Sequence, residues 1–199
     1  ACGVIMHPLI KLFLALADVF SAEKRYGGNQ AAKALIEASR LIDNPKRLEN
    51  TFSKKVNSSL MINEHPLNSL ILEASPFIKW GGSDLREGRI PEDLANQMPM
   101  CELVGPDGLY FNDTVRVGLW LQTKCVVYGP RKHAAEETFY IINGEAEWWS
   151  ELKKTRLKGS GSYVFHASEI QHKSITSDKH VLTAWRWSGD IGFDKYVLY

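Results

Sequence analysis

The chain has 199 residues, enough for one ordinary domain or for a core domain with an appendage. Apolar residues make up 44% of it, which supports a real core, yet no run approaches the roughly 18 apolar residues of a membrane span. A net charge of +1, with both signs interspersed, excludes the one-sided basic footprint of a nucleic-acid surface.

The elements begin with an amphipathic helix. Behind Pro8, apolar residues recur at three- and four-residue spacing through Phe20. Lys11 interrupts the apolar segment 9–17 and Asp18 follows it, which favours a helix over a secretory signal. Gly27-Gly28 is predicted to break this run. Asn29 then caps a second helix with Ala31, Ala32, Leu35, Ile36 and Leu41 as its stripe, ended by Asp43-Asn44-Pro45. Pro45 is predicted to open a third helix to about residue 56, and Pro66 a short fourth over 67–74. Residues 76–100, with Gly81-Gly82, Pro91 and Pro99, read as loop with at most one strand.

Beyond Cys101 the period changes to short apolar runs between turn residues. Strands are predicted over 115–121, 125–128, 138–142, 146–149, 163–165, 172–175, 181–187 and 196–198. Asn143-Gly144 signals a tight hairpin and Gly159-Ser-Gly161 another turn. Such strands suggest a mainly β protein with N-terminal α, a single jelly roll or small barrel rather than a parallel sheet. The expected organisation is a helical extension over 1–75 packed on a β-barrel over 76–199. Cys2, Cys101 and Cys125 lie far apart with no C-x-x-C, which argues against a disulfide scaffold and for a reducing, cytoplasmic setting.

The chemistry concentrates in His133-Ala-Ala-Glu-Glu137, with Gly144 seven residues and His172 thirty-five residues after Glu137. A histidine and a carboxylate on one strand-forming segment, joined by a histidine from a later strand, can close a metal site. That donor set suits Zn, Fe(II), Mn, Ni or Co and selects none of them. Glu136 is the alternative carboxylate, but the spacing to Gly144 favours Glu137. His166 reads as a supporting or loop histidine, and His7, His65 and His180 as surface or capping residues. The basic run Lys153 to Lys158 reads as a solvated hairpin tip.

These spacings resemble the cupin superfamily, whose motifs are G-x5-H-x-H-x3/4-E-x6-G and G-x5-P-x-G-x2-H-x3-N. The chain reads Arg131-Lys-His133-x3-Glu137-x6-Gly144 and Gly161-x5-Ala167-x-Glu169-x2-His172. Arg131 thus stands where the first metal histidine would be and Cys125 where the first glycine would be; Ala167 and Glu169 replace the proline and second glycine. Three of the usual four ligands are present.

A narrower likeness covers roughly residues 100–190. Cys101-Glu-Leu-Val-Gly-Pro-Asp-Gly108, Val115-Arg-Val-Gly-Leu-Trp-Leu-Gln122, Asn143-Gly-Glu-Ala-Glu-Trp148 and Trp185-x-Trp187-Ser-Gly-Asp190 resemble the cupin-type dimethylsulfoniopropionate (DMSP) lyases. The resemblance implies one divalent metal on His133, Glu137 and His172, and a β-elimination of DMSP to dimethyl sulfide and acrylate. It matches Tyr128 to a pocket tyrosine, the candidate base. Arg131, with its forked donors, suits a substrate carboxylate. Trp120 and Trp185, with Trp148 and Trp187, could wall the cationic sulfonium. Phe139 departs from the family, which has a tyrosine there, and Tyr140 next door should face the opposite way. The expected partner is a small-molecule carboxylate, with no nucleic acid and no membrane; an exposed sheet edge leaves a homodimer open. The alternatives are a related cupin with another metal-assisted reaction, an isomerase or dioxygenase, and a non-catalytic small-ligand-binding cupin.

Overall fold

The computed structural model describes residues 6–48, 53–60, 65–82, 85 and 88–199. Helix α1 (Pro8–Ala22) starts at the proline, and His7 caps it, its Nδ1 accepting from the Leu9 N–H at 3.2 Å. Leu9, Leu12, Phe13, Leu16 and Phe20 form its inner stripe and are fully buried. Each contributes roughly 1.5–3 kcal/mol by leaving water. Helix α2 (Tyr26–Ser39) begins before the predicted break, so Gly27 and Gly28 lie in its first turn and Asn29 is no cap. The glycine is there for close approach: a Cβ on Gly27 would strike Ser188 Oγ and the Arg186 guanidinium.

Helix α3 (Ser53–Leu60) starts later than Pro45. Residues 45–48 are not helical, the Leu48 N–H being held by Pro76 O at 2.8 Å, while 49–52 lie outside the described residues. Helix α4 (Pro66–Ala74) follows, capped by His65, and a single helical turn α5 (Glu92–Asn96) sits in the segment expected to be loop. Cys2, counted above, also lies outside the described residues.

Ten strands follow: β1 (Met100–Gly105), β2 (Tyr110–Phe111), β3 (Val115–Gln122), β4 (Val127–Lys132), β5 (Ala135–Ser150), β6 (Lys153–Gly159), β7 (Tyr163–His166), β8 (His172–Ile175), β9 (Val181–Gly189) and β10 (Val197–Leu198). They pair in the order β10-β4-β8-β5-β9-β3-β1-β2, with β6 and β7 joined only to β5. The mainly β jelly roll with N-terminal helices is therefore present, but as two sheets hinged on β5. Among the described residues it does not close into a barrel.

The expected hairpin at Asn143-Gly144 is a correction. Both residues lie inside β5, one strand of 16 residues, at a bulge between Ile141 and Asn143. Gly144, at φ +74°, adopts the left-handed conformation that made the turn signal, here serving the bulge. The bulge shifts the inward parity. Before it Glu137, Phe139 and Ile141 face the interior, and after it Ala146 and Trp148 do. One strand can thus line the same cavity from both sheets.

Two cores result. Outside the first sheet, Val115, Val117, Leu119, Leu121 and Ala184 pack against the helices with Leu12, Phe13, Leu16 and Leu35. Between the sheets lies an aromatic core of Trp120, Tyr128, Phe139, Trp148, Trp185, Trp187 and Tyr196.

Candidate metal centre

Arg131 lies on β4, His133 just after it, Glu137 on the inner face of β5, and His172 opens β8. The backbone pairs Arg131 with His172 and Glu137 with Trp187, so four strands converge on one point. Glu137 Oε2 lies 3.2 Å from His172 Nε2 and 3.5 Å from His133 Nε2. All three side chains are buried, and one donor atom of each lies within 4.8 Å of the others. Two ligands bonded to one ion at about 2.0–2.1 Å and tetrahedral angles sit roughly 3.3 Å apart, so these separations fit a shared cation.

Hydrogen bonding leaves the right atoms available. His133 Nδ1 faces Ala135 O at 3.0 Å and His172 Nδ1 faces Ile170 O at 2.8 Å. Donation to these carbonyls fixes the tautomer and turns each Nε2 lone pair toward Glu137. The other carboxylate oxygen, Oε1, accepts from Trp187 Nε1 at 2.7 Å. His133 Nε2, His172 Nε2 and Glu137 Oε2 are buried with no hydrogen-bond partner. Three orphaned buried acceptors facing each other are what a divalent ion satisfies.

Burial alone would raise the Glu137 carboxyl, but His133, His172 and Arg131 outweigh it and hold the group well below the carboxylate range. Burial, then the Arg131 charge, pushes His172 down to about 4. Glu137 and His172 are therefore in their metal-binding protonation states at neutral pH.

Arg131 is 1% exposed. One guanidinium nitrogen donates to Tyr128 O at 2.9 Å, while Nη2 lies 3.8 Å from Glu137 Oε2 with no hydrogen bond. Its Cζ stacks 3.9 Å over the Tyr128 ring. A fixed cation beside a cation site suits an anionic ligand better than a fourth protein ligand. Arg131, Tyr128, Trp120, Trp185, Phe139 and Glu137 line one cavity of about 50 Å³. The structure thus places Tyr128, Arg131, Trp120 and Trp185 around one cavity with Glu137, whose carboxylate faces His133 and His172. Trp148 lies behind Phe139, their rings 4.9 Å apart, and does not line the cavity.

Tyr140 faces the helices, its hydroxyl 3.0 Å from His65 Nε2. His166 is not among the three converging donors; its ring stacks on His172 at 4.0 Å. Sequence reasoning missed Tyr196, whose hydroxyl lies 2.6 Å from that of Tyr128, and the lining residues Met98, Met100 and Phe193. No spacing signal marks them: Met98, Phe193 and Tyr196 arrive on irregular segments, and Met100 only opens β1.

A profile of the dimethylsulfoniopropionate lyase family matches residues 45–183. The chain belongs to that family. The DMSP lyase DddQ of Ruegeria pomeroyi is 29% identical over 103 residues, 52% of this chain and 51% of that protein. The chain spans about half the length of the curated relatives it matches. The crystal structure of DddQ from Ruegeria pomeroyi matches with a TM-score of 0.66 at 20% identity, covering 96% of both chains. A chain from the crystal structures of the DMSP lyases RdDddP and RnDddQII matches with a TM-score of 0.68 at 18% identity, covering 96% of this chain and 97% of that one. At those identities the structural likeness concerns the fold. Among the described residues no helix is long and apolar enough to cross a membrane.

Proposed function

We propose that this member of the DMSP lyase family is a metal-dependent carbon–sulfur lyase acting on DMSP or a similar small sulfonium carboxylate. The observation that carries the reading is the convergence of three buried, unpartnered donor atoms on His133, Glu137 and His172 beside a buried arginine. The proton to be removed sits beside a carboxylate and is weakly acidic. A divalent ion on the three residues supplies Lewis-acid stabilisation of the developing charge. Zn, Fe, Mn and Ni all accept such donors.

The chain's own residues do the rest. Arg131 binds and orients the substrate carboxylate through its free Nη2. Tyr128 takes the proton from the carbon next to the carboxylate, the C–S bond breaks, and dimethyl sulfide leaves with the bonding electrons, giving acrylate. The base is the Tyr128 phenolate; burial pushes the hydroxyl above the ordinary tyrosine range, and Arg131 and the hydrogen bond with Tyr196 offset that only in part. Trp120 and Trp185 face the sulfonium, each ring contributing about 0.5–2 kcal/mol of cation–π attraction. The aromatic walls exclude water, which strengthens both interactions.

A second reading is carried by Phe139, which lacks the hydroxyl that the family resemblance places near the metal. Under it the pocket binds a small carboxylate without turnover. Headspace measurement of dimethyl sulfide separates the two. Protein loaded with each metal in turn should release it from DMSP, while a His133→Ala control does not. A substrate-induced rise in Tm with no sulfide released above that control favours the binding reading.

A further inference from the structure

The opposite mouth of the sandwich carries a feature that the metal centre does not use. Strands β6 and β7 each pair only with β5, one in each sheet, so the two sheets gape between them. The residues lining that gap are fixed by register. Arg156 pairs with Trp148 and Lys158 with Ala146, both of which face the inner core. Arg156 and Lys158 therefore project from the inner face of β6, into the gap rather than away from it, and Lys154, beyond the register shift opposite Ser150, lines the same cavity. Opposite them, His166 and Val164 pair with Glu137 and Phe139 and face inward from β7.

Among the described residues neither Lys154, Arg156 nor Lys158 forms an ion pair with a carboxylate. They line a cavity of about 140 Å³ with Trp148, Phe165 and His166, sharing no lining residue with the cavity at the metal centre. At its floor, Trp148 Nε1 and both ring nitrogens of His166 are buried without a hydrogen-bond partner. Buried unpaired donors of this kind are rare in folded proteins and call for an acceptor. Three unpaired cations above two unpaired ring N–H groups ask for an anion with planar oxygens. The Trp148 indole beside these groups suits a short carbon chain.

We infer that the β6–β7 cleft is a second ligand site, taking a short-chain carboxylate between the Lys154, Arg156 and Lys158 cations and the Trp148 and His166 donors. The site stands apart from the reaction proposed above, so it can be tested without turnover. If that reaction holds, its acrylate product belongs to the same chemical class.

The test is calorimetric titration of the metal-free full chain with sodium propionate. Replacing the cations (K154Q/R156Q/K158Q) should weaken binding at least about tenfold, equivalent to about 1.4 kcal/mol, whereas Arg131→Met, which removes the carboxylate clamp proposed at the metal centre, should leave it within about twofold. Wild-type binding should weaken as salt is added. Trp148→Phe, which keeps a ring and deletes the donor, should weaken propionate while leaving that salt dependence intact. The assignment is overturned by a triple variant that binds like wild type, or by loss of binding with Arg131→Met. Inorganic phosphate binding as tightly as propionate would equally overturn the carboxylate class.

Discussion

Two arginines are among the largest fully buried side chains of this protein, and they are treated in opposite ways. Arg186, on the outer face of β9, is saturated. It meets both carboxylate oxygens of Glu23 and donates to Ser188 Oγ at 2.9 Å, and Thr138 completes the Glu23 shell at 2.6 Å. Arg131, on the inner side, keeps one nitrogen unpaired 3.8 Å from Glu137. The same contrast runs through the cores around them. The helix-facing core is mostly aliphatic, while the inner core is aromatic and holds the orphaned atoms of Arg131, His133, Glu137 and His172. A saturated buried charge locks two layers together; an unsaturated one keeps a donor facing the inner cavity. Position relative to one sheet decides which.

Substitutions can break that contrast. The largest effect should come from His172→Ala. Metal content, read by elemental analysis, falls from about one ion per chain to near zero, and dimethyl sulfide release falls by more than the roughly 10²–10⁴ expected for loss of a base. Tyr128→Phe should lower kcat by about 10²–10⁴ while the metal content stays, which separates base from ligand. On the other face, Glu23→Ala strands Arg186 in the core and should cost about 3–5 kcal/mol in urea unfolding, with metal content unchanged. Arg131→Met should do the reverse. Stability moves by less than about 1 kcal/mol because no saturated pair is lost, whereas the KM for a carboxylate substrate rises about 10- to 100-fold. Tyr140→Phe should be smallest, about 1 kcal/mol or less from the hydrogen bond to His65, with sulfide release unaltered. Equal stability losses for Glu23→Ala and Arg131→Met would erase the distinction between the two charges.

The meeting of His133, Glu137 and His172 was legible because their residue types and spacing suit one metal site and β periodicity constrains facing. His133, Glu137 and His172 could be named from spacing, and the opposed facing of Phe139 and Tyr140 from parity alone. The errors share one cause: local signals whose meaning tertiary pairing reassigns. Asn143-Gly144 reads as a turn because glycine at positive φ serves turns and bulges alike. Gly27-Gly28 reads as a helix break, but its lack of side chains lets α2 lie on β9. Strand β6 escaped notice because its residues are mostly exposed and cationic, with no apolar alternation to mark it. Tyr196 was placed in a strand but not in the site, since nothing local shows that β10 returns beside β4.

The bulge in β5 has a consequence for how this protein can drift over time. Because facing reverses at one added residue, adding or deleting a single position between Glu137 and Trp148 while the bulge persists would turn Trp148 outward if Glu137 stayed inward. Letters along the strand can change one by one with modest penalties, but its length cannot. Distances between motif residues should therefore outlast the residues themselves, and a search keyed to intervals would find distant kin that one keyed to identities overlooks.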